Sequence, residues 1–72
     1  MAKEVIKLNG DFIRLQDALK LSGLCMTGGH AKIAVQNGEV ELNGETCTMR
    51  GKKLRTGDTF KFDGKEIEVL MV

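Results

Sequence analysis

The sequence predicts an α+β fold in which two short helices pack on a small, mainly antiparallel β-sheet. Three observations predict it. Leu15, Ala18 and Leu19 recur at i, i+3 and i+4, the spacing of one buried helical stripe. Ala31, Ala34 and Val35 repeat that spacing, with side chains small enough for two helices to approach closely. After them the period changes to two. Val40 and Leu42 alternate with Glu39 and Glu41, and Ile67, Val69 and Met71 share one face of a final strand.

The elements follow in order. Glu4 to Leu8 alternates weakly and reads as an edge strand, with Asn9-Gly10-Asp11 turning after it. Phe12 and Ile13 are read as the entry to the first helix, residues 15–22. Gly23 is placed to end that helix in a left-handed cap, with Leu24 closing over the end. Thr27 is the expected N-cap of the second helix, because its hydroxyl can accept from an early free amide. Asn37-Gly38 stops that helix, and Asn43-Gly44 is a hairpin turn signal. Residues 46–49 are expected to form a short strand and residues 51–55 a basic connection. Thr56-Gly57-Asp58 turns into a strand at Thr59 to Phe62. Asp63-Gly64 then returns the chain as residues 66–71, and a two-residue loop there sets Phe60 opposite Ile67. Ile33 fits poorly. At ~100° per residue it lies roughly 160–200° around the helix from Ala31, on the side that should be wet. It packs against a neighbouring strand or offers an apolar contact to a partner.

At 72 residues the chain is one domain, 1–72, without repeats or linkers. A domain this small buries only about 60% of its unfolded surface. Eleven basic and ten acidic residues give a net charge of +1, which is not the strongly basic balance of a non-specific nucleic-acid binder. If a polyanion is the partner, the positive charge must be segregated. Arg50, Lys52, Lys53 and Arg55 supply such a segregation, with no acid between Thr46 and Gly57. Cys25 and Cys47 stand apart and fit free thiols in a reducing cytoplasm. The opening MAKEVIKLNG has no apolar core of signal length, and the longest apolar run, Val69 to Val72, is far too short to span a membrane. One His and two scattered Cys lack the spacing of a metal site, and no cofactor motif is present.

Two stretches offer binding chemistry. Gly28-Gly29 follows the Thr27 cap. Glycines there cost about 1 kcal/mol each relative to Ala, yet they leave the first amides of the helix uncovered for an anion, with His30 and Lys32 beside them. A plain connection between helices is the other reading. The cluster from Arg50 to Arg55 either grips backbone phosphates or is a solvated loop.

The run from Arg14 to Gly44 resembles the RNA-binding domain named after small-subunit ribosomal protein four, the S-four domain. The resemblance rests on Arg14-Leu15, Leu19, Gly23-Leu24, Thr27, Ala31, Gly38, Val40, Leu42 and Asn43-Gly44. Leu54, Gly57-Asp58, Phe60 and Phe62 extend it, so it covers roughly residues 12 to 62. The short length and the Thr-Gly-Gly-His-Ala run look most like the small stand-alone bacterial members. The chain departs from the pattern at Gln16, where the family usually has an acid, and at Thr27-Gly28, where it often has Ser-Arg. The second departure removes a phosphate-contacting guanidinium.

The resemblance implies non-catalytic binding of structured RNA, ribosomal RNA or a ribosomal subunit, in translation or ribosome assembly. Recognition would be by shape and phosphate contact rather than base stacking, since aromatics are scarce. It points to Arg14, Lys20, Thr27, Gly28, Gly29, His30 and Lys32 as one part of the site. Arg50, Lys52, Lys53 and Arg55 form the other part, the basic loop lying beside the second helix. The expected protein is a cytoplasmic monomer without cofactor, metal or membrane segment. The alternative is a small protein-interaction module that uses a sheet edge or the Ile33 face.

Overall fold

A computed structural model describes residues 4–72; residues 1–3, counted above in the domain and in the opening stretch, lie outside the described residues. In chain order the elements are β1 (Glu4–Leu8), β2 (Ile13–Arg14), α1 (Leu15–Leu21), α2 (Gly28–Gln36), β3 (Val40–Leu42), β4 (Glu45–Thr46), β5 (Lys53–Leu54), β6 (Thr59–Phe62) and β7 (Lys65–Met71). The class is the expected α+β. Five strands form one sheet in the order β1-β7-β6-β3-β4, and β2 and β5 form a separate two-stranded ribbon.

Local chemistry sets the hairpins. Asn43 and Asp63 adopt positive φ (52° and 53°), and each is followed by a glycine that does the same. This is the backbone a tight two-residue hairpin demands. The second turn fixes the β6–β7 register with Phe60 opposite Ile67, as expected. The edge strand β1 pairs parallel with β7, from Glu4 opposite Ile67 to Leu8 opposite Met71. A parallel neighbour needs a long crossover, and the whole chain between β1 and β7 supplies it.

The helices bury the stripes that their spacing marked. Leu15, Ala18 and Leu19 of α1 and Ala31, Ala34 and Val35 of α2 are buried together with Val40, Leu54, Phe60, Ile67 and Val69. On the other face of the sheet opposite charges face each other across the strands. Glu41 stands opposite Lys61, and Lys61 stands opposite Glu66, all exposed. Opposite charges in such rows stabilise a sheet modestly.

Both helices end at a left-handed glycine, Gly23 (φ 82°) and Gly38 (φ 76°). After α2 the closing bonds form a complete Schellman pair, the Gly38 amide donating to the Val35 carbonyl and Glu39 to Ala34. After α1 the closure is stretched by one residue. Gly23 donates to Lys20, but the Cys25 amide, not that of Leu24, reaches the Leu19 carbonyl. Leu24 still packs half-buried against the core, as expected.

Three expectations are corrected. Phe12 and Ile13 do not enter a helix: Ile13 and Arg14 are extended and pair antiparallel with Leu54 and Lys53. The reason is Leu54, fully buried, which offers Ile13 an apolar cross-strand neighbour. The residues read as a plain basic connection therefore contain a strand, β5. The strand expected over residues 46–49 stops at Thr46. Cys47 still donates to the Val40 carbonyl at 2.9 Å, after which the chain leaves the sheet to reach the start of α1.

Candidate nucleic-acid interface

Arg14 occupies the N-cap position of α1, and its side chain makes no capping bond. A helix start leaves its first amides without intrahelical partners, so acceptors must come from elsewhere. They come from the basic segment. The Leu15 amide donates to the Lys52 carbonyl at 2.9 Å and the Gln16 amide to the Arg50 carbonyl at 3.0 Å. Asp17 in the first turn adds a carboxylate where the helix dipole favours one.

The same segment is fixed at its other end. The Arg55 amide donates to the Asp58 carboxylate at 2.7 Å. The other oxygen of that carboxylate accepts from the Asn43 side chain, which in turn holds the Thr59 amide. Between these anchors Lys53 and Leu54 pair with Arg14 and Ile13. Arg14, Arg50, Lys52, Lys53 and Arg55 are thus gathered around one short ribbon, and all five are exposed. Arg14 and Lys53 stand directly opposite each other, a pairing that costs stability by like-charge repulsion. Lys53 Nζ also lies 4.8 Å from the ring centre of Phe12. Lys20, exposed, lines a shallow groove with Ile13, Asp17 and Leu21.

The start of α2 is built differently. Thr27 is extended, and its hydroxyl accepts from the His30 amide at 3.0 Å, as expected of an N-cap. His30 reaches back: its Nδ1 accepts from the Met26 amide at 3.4 Å. Its ring also meets Phe62 edge-on, 6.1 Å between centroids. His30 therefore braces the helix start against β6. Among the described residues the amides of Gly28 and Gly29 have no acceptor. A Cβ on Gly28 would meet nothing within 4 Å, and one on Gly29 only the Thr27 hydroxyl at 3.8 Å. Neither glycine has a positive φ. The fold does not require glycine at either place. Lys32 is exposed one turn on.

The two halves of the expected site are therefore held by different contacts. Arg14 joins the segment Arg50–Arg55 directly through the ribbon. The contacts of Thr27 and His30 run to Met26 and Phe62 instead. Sequence reasoning missed Phe12 and the capping carbonyls of Arg50 and Lys52. A signal existed: Arg is a poor N-cap, and a helix opening with Arg14 implies outside acceptors. Ile33 is 58% exposed, so it does not pack on a strand.

Cys25 and Cys47 are free thiols, the first buried and the second half-buried. Burial pushes the Cys25 thiol up from its ordinary value, and Glu39 adds in the same direction. Among the described residues no group of His, Cys, Asp and Glu is placed to hold a metal, and no helix is long and apolar enough to cross a membrane.

Comparison with known proteins bears on the fold and the family. The family model described as the S4 domain matches residues 6–70. YbcJ of Escherichia coli strain K12 is 36% identical over 58 residues, covering 81% of this chain and 83% of that protein. RlbA of Bacillus subtilis strain 168, named a probable ribosome maturation protein, is 36% identical over 59 residues, 82% of this chain and 83% of that one. The solution structure of Escherichia coli YbcJ, described as revealing an alfaL motif involved in RNA binding, superposes with a TM-score of 0.73 at 31% identity. It covers 97% of this chain and 90% of that chain. These matches mark a non-enzymatic binding protein. Because one family model matches residues 6–70, from β1 to β7, the chain belongs to the S4 domain family.

Proposed function

We propose that this protein binds structured RNA, and that ribosomal RNA within a ribosomal subunit is its target during translation or ribosome assembly in the cytoplasm. The observation that carries the reading is the ribbon. Five exposed cations are held on a backbone anchored to α1 and to Asp58, with Arg14 and Lys53 placed opposite each other despite their repulsion. An array of cations on a fixed backbone suits the regular spacing of phosphates along an RNA strand. The uncovered amides of Gly28 and Gly29, with Lys32 beside them, add a second anion-binding element. Membership in the S4 domain family and the ribosome-maturation name of the relative RlbA support the choice of RNA and of the ribosome.

Crosslinking in cells, followed by sequencing of the attached RNA, tests the reading. Enrichment of ribosomal RNA over messenger and transfer RNA is the expected result. Recovery of no RNA above background, or binding to ribosomal RNA in vitro that does not fall with salt, overturns it.

A further inference from the structure

The chain has three phenylalanines. Phe60 is fully buried and Phe62 packs half-buried against the core. Phe12 belongs to neither group. It is 37% exposed and lies outside the core cluster. Its neighbours explain where it points. Along an extended segment side chains alternate between faces. Ile13 is half-buried toward the core with Leu54 as its cross-strand partner, so Phe12 and Arg14 share the outward face. Lys53, opposite Arg14, lies on that outward face too, and its ammonium sits 4.8 Å from the centre of the Phe12 ring. A partly exposed aromatic ring thus lies beside Lys53, one of the clustered cations, outside the core.

We infer that Phe12 is a stacking surface for one unpaired nucleotide of the bound RNA, with Arg14 and Lys53 taking the phosphates on either side of it. This deepens the reading proposed above and rests on it. A base inside a duplex has both faces covered by its neighbours; only a bulged or looped-out base can lie on a ring. The exposed cation–π contact does not block this. It is worth about fivefold in affinity at most, whereas base–aromatic stacking is worth roughly fivefold to a hundredfold. The flexible lysine gives up the ring to the base and turns its ammonium to the adjoining phosphate. Recognition then combines phosphate contact with one stacked base, so the RNA sought is a helix carrying an unpaired nucleotide.

The test uses the full chain and two RNA hairpins of equal charge. One carries a single bulged adenosine; the other carries an abasic ribose at the same place. Binding is measured at one fixed salt concentration. The wild type is expected to prefer the base-bearing hairpin by about tenfold. Phe12→Leu should bind both equally, at the wild-type level for the abasic hairpin, with an unchanged melting temperature. Phe12→Trp should keep or widen the preference. The inference is overturned by a wild type that binds both hairpins equally, or by a Phe12→Leu variant that keeps the preference. Equal loss on both hairpins with Phe12→Leu also overturns it, because the ring would then act through the fold. A wild type that binds neither hairpin fails the RNA-binding reading itself, a result distinct from binding without preference.

Discussion

Each helix of this protein follows an extended residue, yet the first amides of the two helices are finished in opposite ways. At α1 the N-cap is Arg14, and the carbonyls of Lys52 and Arg50 close the helix from across the chain. At α2 the N-cap is Thr27, one amide is taken by its hydroxyl, and the amides of Gly28 and Gly29 stay open. The closed end uses its helix to position something else: its amides hold the backbone that carries the cations. The open end offers its own amides. One helix start thus acts as a scaffold and the other as a candidate ligand, although both have the same dipole.

The largest effect should come from cutting the ribbon away from the closed end. Leu54→Ala removes a fully buried side chain opposite Ile13. It should cost about 2–5 kcal/mol, read as a fall in melting temperature of about 4–8 °C for each kcal/mol. RNA affinity should fall with it, because the cation array loses its backbone. Full affinity in a variant that has lost this stability would show that the ribbon's order is irrelevant to binding.

Next comes the charge that the closed end positions. Changing Lys52 and Lys53 together to Ala should weaken binding to unrelated structured RNAs alike, on the order of tenfold per lost contact at ~0.1 M salt. The log–log salt slope should flatten by about 0.7–0.9 per contact. The melting temperature should hold or rise, since Lys53 no longer faces Arg14. An unchanged slope in folded protein removes both lysines from the interface.

The open end gives smaller numbers with informative signs. Thr27→Ala should cost about 0.5–2 kcal/mol through loss of the bond to the His30 amide. Gly28→Glu should leave stability equal or raise it, by ~0.3–1 kcal/mol from the dipole. A side chain there meets open space, and the backbone is helical. The same carboxylate should repel a phosphate, so binding falls while the melting curve holds. If Gly28→Glu binds ribosomal RNA as well as wild type does, the open end is no ligand and the ribbon carries the contact alone.

The smallest effect lies in the link between the helices. Cys25 is buried there, and its thiol titrates above its ordinary value. The native state therefore binds this proton more tightly than the unfolded chain does. The resulting stability is fully present below the unfolded thiol value of about 8.5 and is lost as pH rises through the folded value. Melting temperatures followed upward from neutral pH should fall more steeply in wild type than in Cys25→Ala. Parallel curves would show that burial of this thiol has no linkage to folding.

The sequence by itself determined what short-range chemistry controls. Thr27 caps because a hydroxyl three residues upstream can reach the His30 amide in almost any context. Gly23 and Gly38 end helices because left-handed backbone excludes most other residues. Asn43-Gly44 and Asp63-Gly64 set hairpins whose register follows from loop length, and the helical stripes named half of the buried core. The RNA candidates were legible as charges and glycines, but not as an arrangement. Tertiary structure decided the rest. A two-residue strand such as β2 or β5 has no periodicity to read; it exists because Ile13 and Leu54 meet and bury area together. Acceptors for α1 come from carbonyls far along the chain, and every residue carries a carbonyl, so no residue type announces them. The parallel place of β1 likewise required the whole intervening chain. Phe12 read as part of the entry to a helix until the ribbon set it beside Lys53, partly exposed. Local rules fix the ends of elements because their energies are spent between near neighbours, whereas the cation array depends on contacts that only chain closure creates.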